Sequence, residues 1–131
     1  MSKTYEFLKE CGIFFVTTVN KNVPASRPFG AVMELAGELY FSTANTKDVY
    51  TQLISNPSIQ IVALNAETQD WIRIDGKAVE INDLDAKQAM LDVCPVLLNH
   101  FSSNDSESFA LFKVIEKTAL LNTGNGISII D

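Results

Sequence analysis

The sequence predicts a mainly β fold, a closed antiparallel barrel of about six strands with short helices covering its ends. Short runs of β-branched and aromatic residues follow one another with only turns between them, which is typical of strands in hairpin order. The run from Trp71 to Ile81 changes its apolar parity at Gly76, which indicates the bulge that a bent barrel strand needs. Helices inserted between the strands favour this closure over a β-sandwich.

The predicted elements follow from local patterns. They are a helix over 4–10, strands over 13–19, 23–35 and 39–43, a helix over 46–55, strands over 59–64 and 71–81, a helix over 83–94, and strands over 109–121 and 127–130. The first helix ends at Gly12, and the run IFFVTTV that follows has the residue types that strands favour. Proline cannot donate to a strand ladder, so Pro24 and Pro28 make the first half of segment 23–35 an edge or an irregular stretch. A turn at 36–37 joins that segment to the next strand.

The second and third helices show the helical spacing of apolar residues. Val49 and Leu53 lie four residues apart on one stripe, and Asn45 or Thr46 can cap this second helix. Helix 83–94 also has an apolar stripe and begins with acidic side chains, which suit a helix N-terminus.

The composition fits one domain over residues 1–131 and excludes several classes of function. A hydrophobic fraction of 47% excludes a disordered chain. Ten Lys and Arg stand against 16 Asp and Glu, and the net charge of -6 argues against nucleic acid or an acidic membrane surface as a partner. No apolar run approaches the ~18–20 residues that span a bilayer. We therefore expect a cytoplasmic protein.

No catalytic motif stands out, and no metal site is predicted. A phosphate-binding loop, a dinucleotide-binding glycine pattern and a nucleophile elbow are all missing. Cys11 and Cys94 are far apart and near helix ends, so both are interpreted as packing residues in a reducing compartment. His100 is the single histidine, too few for a histidine-built zinc site, and is interpreted as a surface residue rather than a triad member.

A pair of cationic residues in this acidic chain indicates an anion site. Arg27 lies in the segment SRPFG, and Lys47 lies where the run FSTANT ends a strand and a helix begins. Free N–H groups at a helix start, together with hydroxyls and a lysine, bind anions. Pairing of strand 23–35 with strand 39–43 would bring Arg27 near Lys47, with a phosphate between them. Two solvated surface cations beside an ordinary helix cap explain the same spacing equally well.

The order of four segments resembles the pyridoxamine phosphate oxidase-like flavin-binding split barrels. These segments are SRPFGAVMEL, ELYFSTANTKDVYTQL, NPSIQIVAL and WIRIDGKAVEI, and the likeness spans residues 5–121. The resemblance implies a six-stranded split barrel that forms a homodimer with FMN bound at the subunit interface. The cofactor-binding residues that it implies are Arg27, Pro28, Phe29, Phe41, Ser42, Thr43, Thr46, Lys47, Trp71 and Arg73.

The resemblance also implies a role for each of these positions. Arg27 would contact the phosphate or the ribityl chain, and Thr46 and Lys47 would anchor the phosphate. The Pro-Phe step after the arginine would lie along the isoalloxazine, and the strand end at 41–43 would pass the flavin.

One strand face would meet the cofactor from the partner subunit. Trp71, Arg73 and Asp75 alternate with Ile72 and Ile74, so they share a polar and aromatic face that suits an interface. A packing role for the tryptophan at the end of the barrel is the alternative.

Two departures argue against oxidation of pyridoxamine phosphate itself. Oxidases with that activity carry an Arg-Lys pair at the anchor and an arginine-rich C-terminal segment, whereas this chain has Lys47-Asp48 and ends in SIID. The chain is more similar to the general-stress and nitroimidazole-resistance branches, in which the flavin carries the chemistry.

The predicted function is that of a flavin-dependent oxidoreductase acting on a small aromatic or nitro compound, without a nameable catalytic side chain. The alternatives are a non-catalytic flavin-binding or sensing module, a haem- or deazaflavin-binding relative on the same barrel, and a cofactor-free interaction domain.

Overall fold

The computed structural model describes all residues from Met1 to Asp131. In chain order its elements are α1 (Lys3–Cys11), β1 (Phe14–Asn20), β2 (Val23–Phe29), β3 (Val32–Leu35), β4 (Glu38–Ala44), α2 (Asp48–Ser55), β5 (Ser58–Leu64), β6 (Trp71–Glu80), α3 (Leu84–Val93), a 3₁₀ helix (Pro95–Asn99), β7 (Phe109–Thr123) and β8 (Gly126–Ile130). No helix is long and apolar enough to cross a membrane.

All eight strands belong to one antiparallel sheet: seven follow the order β2-β1-β5-β6-β7-β4-β3, and β8 pairs with β7 outside this order. The long strand β7 pairs with β6 along one edge; on its other edge it pairs first with β4 and then with β8. The mainly β class with short helices is confirmed, with eight strands rather than about six.

The segment 23–35 is two strands rather than one, and this corrects the predicted pairing. β2 pairs with β1 through a tight turn at Lys21 and Asn22, whose positive φ values of 50° and 71° suit a hairpin turn. β3 alone pairs with β4. The prolines in β2 lack N–H donors, so this strand lies at the edge of the sheet. The expected pairing of the Arg27 segment with strand 39–43 is therefore wrong.

The predicted caps of the second helix are also wrong. α2 begins at Asp48 with Lys47 at the N-cap position, and no side chain caps it. Asn45 is engaged elsewhere, since its Nδ2 donates to the carbonyl oxygen of Glu107 at 2.7 Å. The start of α3 follows the sequence prediction more closely, because the Asp83 carboxylate accepts the first-turn N–H groups.

The bulge predicted at Gly76 is confirmed. The register between β6 and β7 shifts between Asp75 and Lys77, and Glu116 opposite adopts a left-handed φ of 51°. A Cβ atom at Gly76 would lie 2.9 Å from the carbonyl oxygen of Ile115. Only glycine fits this close approach between the two strands without a shift of the backbone.

Two apolar cores lie on either side of the strands. The larger one fills the barrel and includes the aromatic series Phe29, Phe41 and Phe112, with ring centroids 5.4 Å and 5.7 Å apart along it. The smaller one lies between the outer face of β3, β4 and β7 and the cover formed by α3 and the 3₁₀ helix. The end of β4 therefore has apolar packing on both of its faces.

We expect Gly76→Ala to lower the free energy of unfolding by about 1–3 kcal/mol, because the added methyl group forces β6 and β7 apart. Gly124→Ala is the matched control, since a Cβ atom there meets nothing within 4 Å. Urea unfolding of both variants measures the difference. Equal stability of Gly76→Ala and the wild type would show that the bend tolerates a side chain.

Candidate functional site

The N-terminus of α2 is an uncapped helix start at the protein surface. Thr46 and Lys47 lie exposed in the turn that leads from β4 into the helix. The turn is closed by the Lys47 N–H, which donates to the carbonyl oxygen of Ala44 at 3.1 Å. The Tyr50 N–H donates to the carbonyl oxygen of Lys47, but no side chain caps α2, so the N–H groups of Asp48 and Val49 and the helix dipole are available to an anion.

Arg27 is held against the second turn of the same helix. Its Nη1 donates to the carbonyl oxygen of Val16 at 3.2 Å and to Thr18 Oγ1 at 2.8 Å, and its Nη2 donates to Gln52 Oε1 at 2.8 Å. The Thr18 hydroxyl donates to the same amide oxygen. These three bonds leave two of the five N–H donors of a guanidinium free. Arg27 is therefore fixed in place with donors to spare.

Burial lowers the pKa of Arg27, and the carboxylate of Asp48 opposes that shift. A guanidinium stays cationic at neutral pH all the same. On another side of α2, the Tyr50 hydroxyl donates to Glu80 Oε1 at 2.7 Å, and this hydrogen bond raises the pKa of Tyr50. The helix start is thus held by polar contacts to β1, β2 and the end of β6.

Arg27 and Lys47 adjoin the same helix, although the strand pairing expected to bring them together does not exist. Lys47 precedes the first turn of α2, and Arg27 contacts its second turn through Gln52. Sequence reasoning missed Thr18 and Gln52. Their only signal was a threonine at an inward-facing position of β1 and a glutamine on the packed side of a helix.

The predicted residues of β4 divide between its two faces. Phe41 and Thr43 project into the barrel, and the Phe41 ring is only 1% exposed, so a ligand can meet this part of the strand only through its backbone. Phe29 projects into the same interior and meets the Phe41 ring edge-on. Ser42 projects the other way, toward the cover formed by α3 and the 3₁₀ helix.

A cleft opens where Ser42 meets this cover. It is lined by the segment 28–31, Ser42, Val96, Leu97 and His100, and its volume is about 230 Å³. We call it the Ser42 cleft. The Ser42 hydroxyl is buried and has no hydrogen-bond partner. His100, predicted to be a surface residue, is exposed and lies at this cleft.

Trp71 and Arg73 lie on the outer face of the sheet, opposite the barrel interior that holds Arg27. Two strands, β5 and β1, lie between β6 and β2. At ~4.8 Å per strand spacing, β6 and β2 are therefore roughly 14 Å apart. One chain therefore does not bring Trp71 and Arg73 together with Arg27 and Lys47. The Nε atom of Arg73 is buried without a hydrogen-bond partner, and Asp75 approaches it only to 4.0 Å.

The outer face around Arg73 is apolar and exposed. Residues directly opposite each other in antiparallel strands share a face, and the register aligns Phe15, Val62, Arg73, Leu120 and Ile129 across five strands. Phe15 is 47% exposed and Ile129 is 75% exposed. The next row adds the residues Leu64, Trp71, Asn122 and Ile127. We call these two rows the outer sheet face.

Comparison with known proteins identifies the family. A family model described as pyridoxamine 5′-phosphate oxidase matches residues 2–120. A NimC/NimA family protein from Clostridium acetobutylicum has the same fold with a TM-score of 0.92 and 33% sequence identity, and the match covers 98% of this chain and 89% of that one. The chain belongs to the pyridoxamine 5′-phosphate oxidase-like family.

More distant solved structures share the fold alone. An FMN-binding protein from Nostoc punctiforme, described as pyridoxamine 5′-phosphate oxidase-related, has a TM-score of 0.71 at 17% identity over 95% of this chain and 82% of its own. A haem-binding protein from Mycobacterium smegmatis has a TM-score of 0.72 at 13% identity over 93% of this chain and 56% of its own. Comparison with curated proteins gave no match. The family resemblance seen in the sequence is confirmed.

Proposed function

We propose that this chain binds FMN and acts as a flavin-dependent oxidoreductase on a small molecule. The observation that carries the proposal is the uncapped start of α2, with exposed Thr46 and Lys47 beside an arginine that keeps free donors. A phosphate monoester fits such a site, because helix N–H groups, a hydroxyl and cationic donors all favour a dianion. These residues would hold the phosphate, and the Pro28-Phe29 step would lie along the ring system.

FMN, when bound, supplies the two-electron redox chemistry, and the side chains bind and orient it. Arg27 suits the orienting role, because Thr18 and Gln52 hold its guanidinium before any ligand arrives. A preorganised donor loses little conformational freedom on binding.

We further propose that two copies of the chain associate through the outer sheet face. A monomer rarely leaves so many large apolar side chains exposed together, and a second copy would cover them. The unpartnered Nε of Arg73 supports this surface, since a buried donor needs an acceptor. Association would also let Trp71 and Arg73 of one copy reach the flavin held by the other. The cytoplasm suits such a dimer with two free cysteines.

We expect Lys47→Ala to weaken FMN binding by roughly tenfold to a hundredfold, since a charged hydrogen bond to the phosphate is lost. Riboflavin lacks the phosphate, so its affinity should change much less. Quenching of flavin fluorescence measures both affinities. Lys3→Ala is the matched control, because Lys3 is an exposed lysine at the start of α1, a helix that Ser2 already caps.

Equal losses of FMN and riboflavin affinity in Lys47→Ala would show that Lys47 does not contact the phosphate. The absorption spectrum of the purified protein separates the rival cofactors, since haem gives a Soret band and flavin does not. A Soret band with no flavin absorption would overturn the proposal.

We expect the protein to have about twice the 14.4 kDa chain mass in light scattering. Phe15→Glu should produce monomers, because association would then bury a charge within the proposed interface. Leu84→Glu is the control, since Leu84 is an exposed leucine of α3, outside the outer sheet face. A wild-type monomer that binds flavin tightly would contradict the proposed assembly.

Turnover of pyridoxamine 5′-phosphate should be undetectable. At the predicted phosphate anchor, Lys47 is followed by Asp48, whereas oxidases with this activity carry an Arg-Lys pair there. One cation of that pair is therefore missing, so we do not expect this reaction. The assay measures hydrogen peroxide release by the FMN-loaded protein, with added pyridoxamine 5′-phosphate against buffer alone. Rapid, saturable turnover would show that the argument from the anchor residues is wrong.

A further inference from the structure

We propose that Gln52 is a further phosphate-binding residue, whose side-chain Nε2 donates to the same anion that Arg27 and the start of α2 would hold. The inference rests on the proposed FMN site and adds to it a neutral donor that the sequence did not indicate. Three observations carry it: the fixed orientation of the Gln52 amide, an Nε2 atom without a partner, and the position of Gln52 on the helix.

The neighbours of the Gln52 amide fix its orientation. Arg27 Nη2 lies 2.8 Å from one atom of this amide, and a guanidinium has only donors, so that atom is the oxygen Oε1. The Thr18 hydroxyl donates to the same oxygen, and it accepts from Arg27 Nη1 at 2.8 Å. The three side chains thus form a closed ring of hydrogen bonds, which also determines where Nε2 lies.

The Nε2 atom of Gln52 carries two N–H donors and has no hydrogen-bond partner, since both bonds of the side chain end on Oε1. The only buried side-chain nitrogen or oxygen atoms without a partner in this protein are Ser42 Oγ and Arg73 Nε. The Nε2 atom of the half-buried Gln52 is therefore open to solvent or to a ligand. Because an amide is planar, these free donors lie beside the guanidinium of Arg27.

Gln52 also lies on a suitable face of α2. It follows Asp48 by four residues, and side chains four apart share one face of a helix, with Cβ atoms roughly 5–6 Å apart. Helical side chains lean toward the N-terminus, so the Gln52 amide leans toward the first turn with its free N–H groups. The Asp48 carboxylate in that turn also opposes the lowering of the Arg27 pKa, so Arg27 is near as well. An anion at the helix start would therefore meet both side chains.

A neutral donor suits this position. A phosphate monoester has three strong acceptor oxygens, so it binds several donors at once. Asp48 shares the face of α2 with Gln52, and a lysine in place of Gln52 could pair with that carboxylate instead of with the phosphate. An amide offers donors without a charge to be paired. Gln52 therefore has two roles, because Oε1 holds Arg27 and Nε2 donates to the phosphate.

A double-mutant cycle separates direct contact from the positioning of Arg27. We expect Gln52→Ala to weaken FMN binding about tenfold in the wild type, and still about threefold or more in the Arg27→Ala background. Riboflavin affinity should change much less, and quenching of flavin fluorescence measures both ligands. If removal of Gln52 has no effect once Arg27 is absent, Gln52 only positions the arginine and the inference is wrong. Equal losses for FMN and riboflavin would also overturn it.

Gln52→Glu tests the contact while it keeps an oxygen for Arg27, so it decides the question if Gln52→Ala misfolds. The variant replaces the Nε2 donor by a charged acceptor, which should weaken FMN binding about a hundredfold and riboflavin binding much less. Thr51→Glu is the matched control, because it adds the same charge at an exposed neighbouring position of α2. Equal FMN affinities of the two variants would contradict a direct contact.

The side-chain amide of Gln52 gives a signal of its own. Its two Nε2 protons form one pair of peaks in a nitrogen–proton NMR correlation spectrum, identified by their absence from Gln52→Glu. FMN and riboflavin share the ring system and the ribityl chain, so a difference between their effects is due to the phosphate. We expect FMN, and not riboflavin, to move one peak of the pair downfield, because a charged acceptor makes a strong hydrogen bond. Identical shifts with the two ligands would overturn the inference.

The outcomes also separate this inference from the proposed function. A wild-type protein that binds no FMN would overturn both. FMN binding that depends on Lys47 and Arg27 but not on Gln52 would overturn this inference alone and leave the flavin function in place. A loss of FMN affinity on removal of Gln52 in the Arg27→Ala background supports the inference, whether or not any substrate is turned over.

Discussion

The sheet bends at the point where Gly76 of β6 passes Ile115 and Glu116 of β7. A side chain at Gly76 would collide with the backbone opposite, and Glu116 takes a left-handed conformation to complete the bulge. Besides β6, β7 has a different partner on each side of this bend. Its N-terminal part pairs with β4, and its C-terminal part pairs with β8. This change of partner divides the sheet into two parts. One part includes the outer sheet face, and the other leads through β4 into the start of α2. Both halves of the proposed flavin site therefore depend on one close contact between two strands.

The electrostatics of the site are local rather than global. A net charge of -6 repels an anion at long range, so short-range donors must hold a phosphate. Thr18 and Gln52 hold the Arg27 guanidinium in place, so a short-range cationic donor is aligned before a phosphate binds. Asp48 adds a negative charge beside the same helix start and favours the charged form of Arg27. Asp48 thus weakens anion binding at the start of α2, although it also stabilises the charged form of Arg27.

The sequence predicted those parts of the fold that depend on local chemistry. The change of parity at Gly76 indicated a bulge because strand residues alternate strictly between faces, and Asp83 indicated a helix start because its carboxylate can accept first-turn N–H groups. The division of 23–35 was not predictable in this way, because both halves are extended and only their partners differ. The faces of Trp71 and Arg73 followed from alternation, whereas the network around Arg27 required the packing of α2 on β1 and β2.

The least predictable feature, the Ser42 cleft, differs in its chemistry from the nearby start of α2. Ser42 and Thr43 are neighbours in a strand, yet alternation turns one toward the helical cover and the other into the barrel. A few residues later the same strand ends at the cationic start of α2. A phosphate is favoured at that end by free helix N–H groups and Lys47, whereas apolar side chains such as Val96 and Leu97 in the cleft favour a neutral ring. In the proposed FMN complex, the phosphate end would therefore lie at the start of α2 and the ring end near the Ser42 cleft.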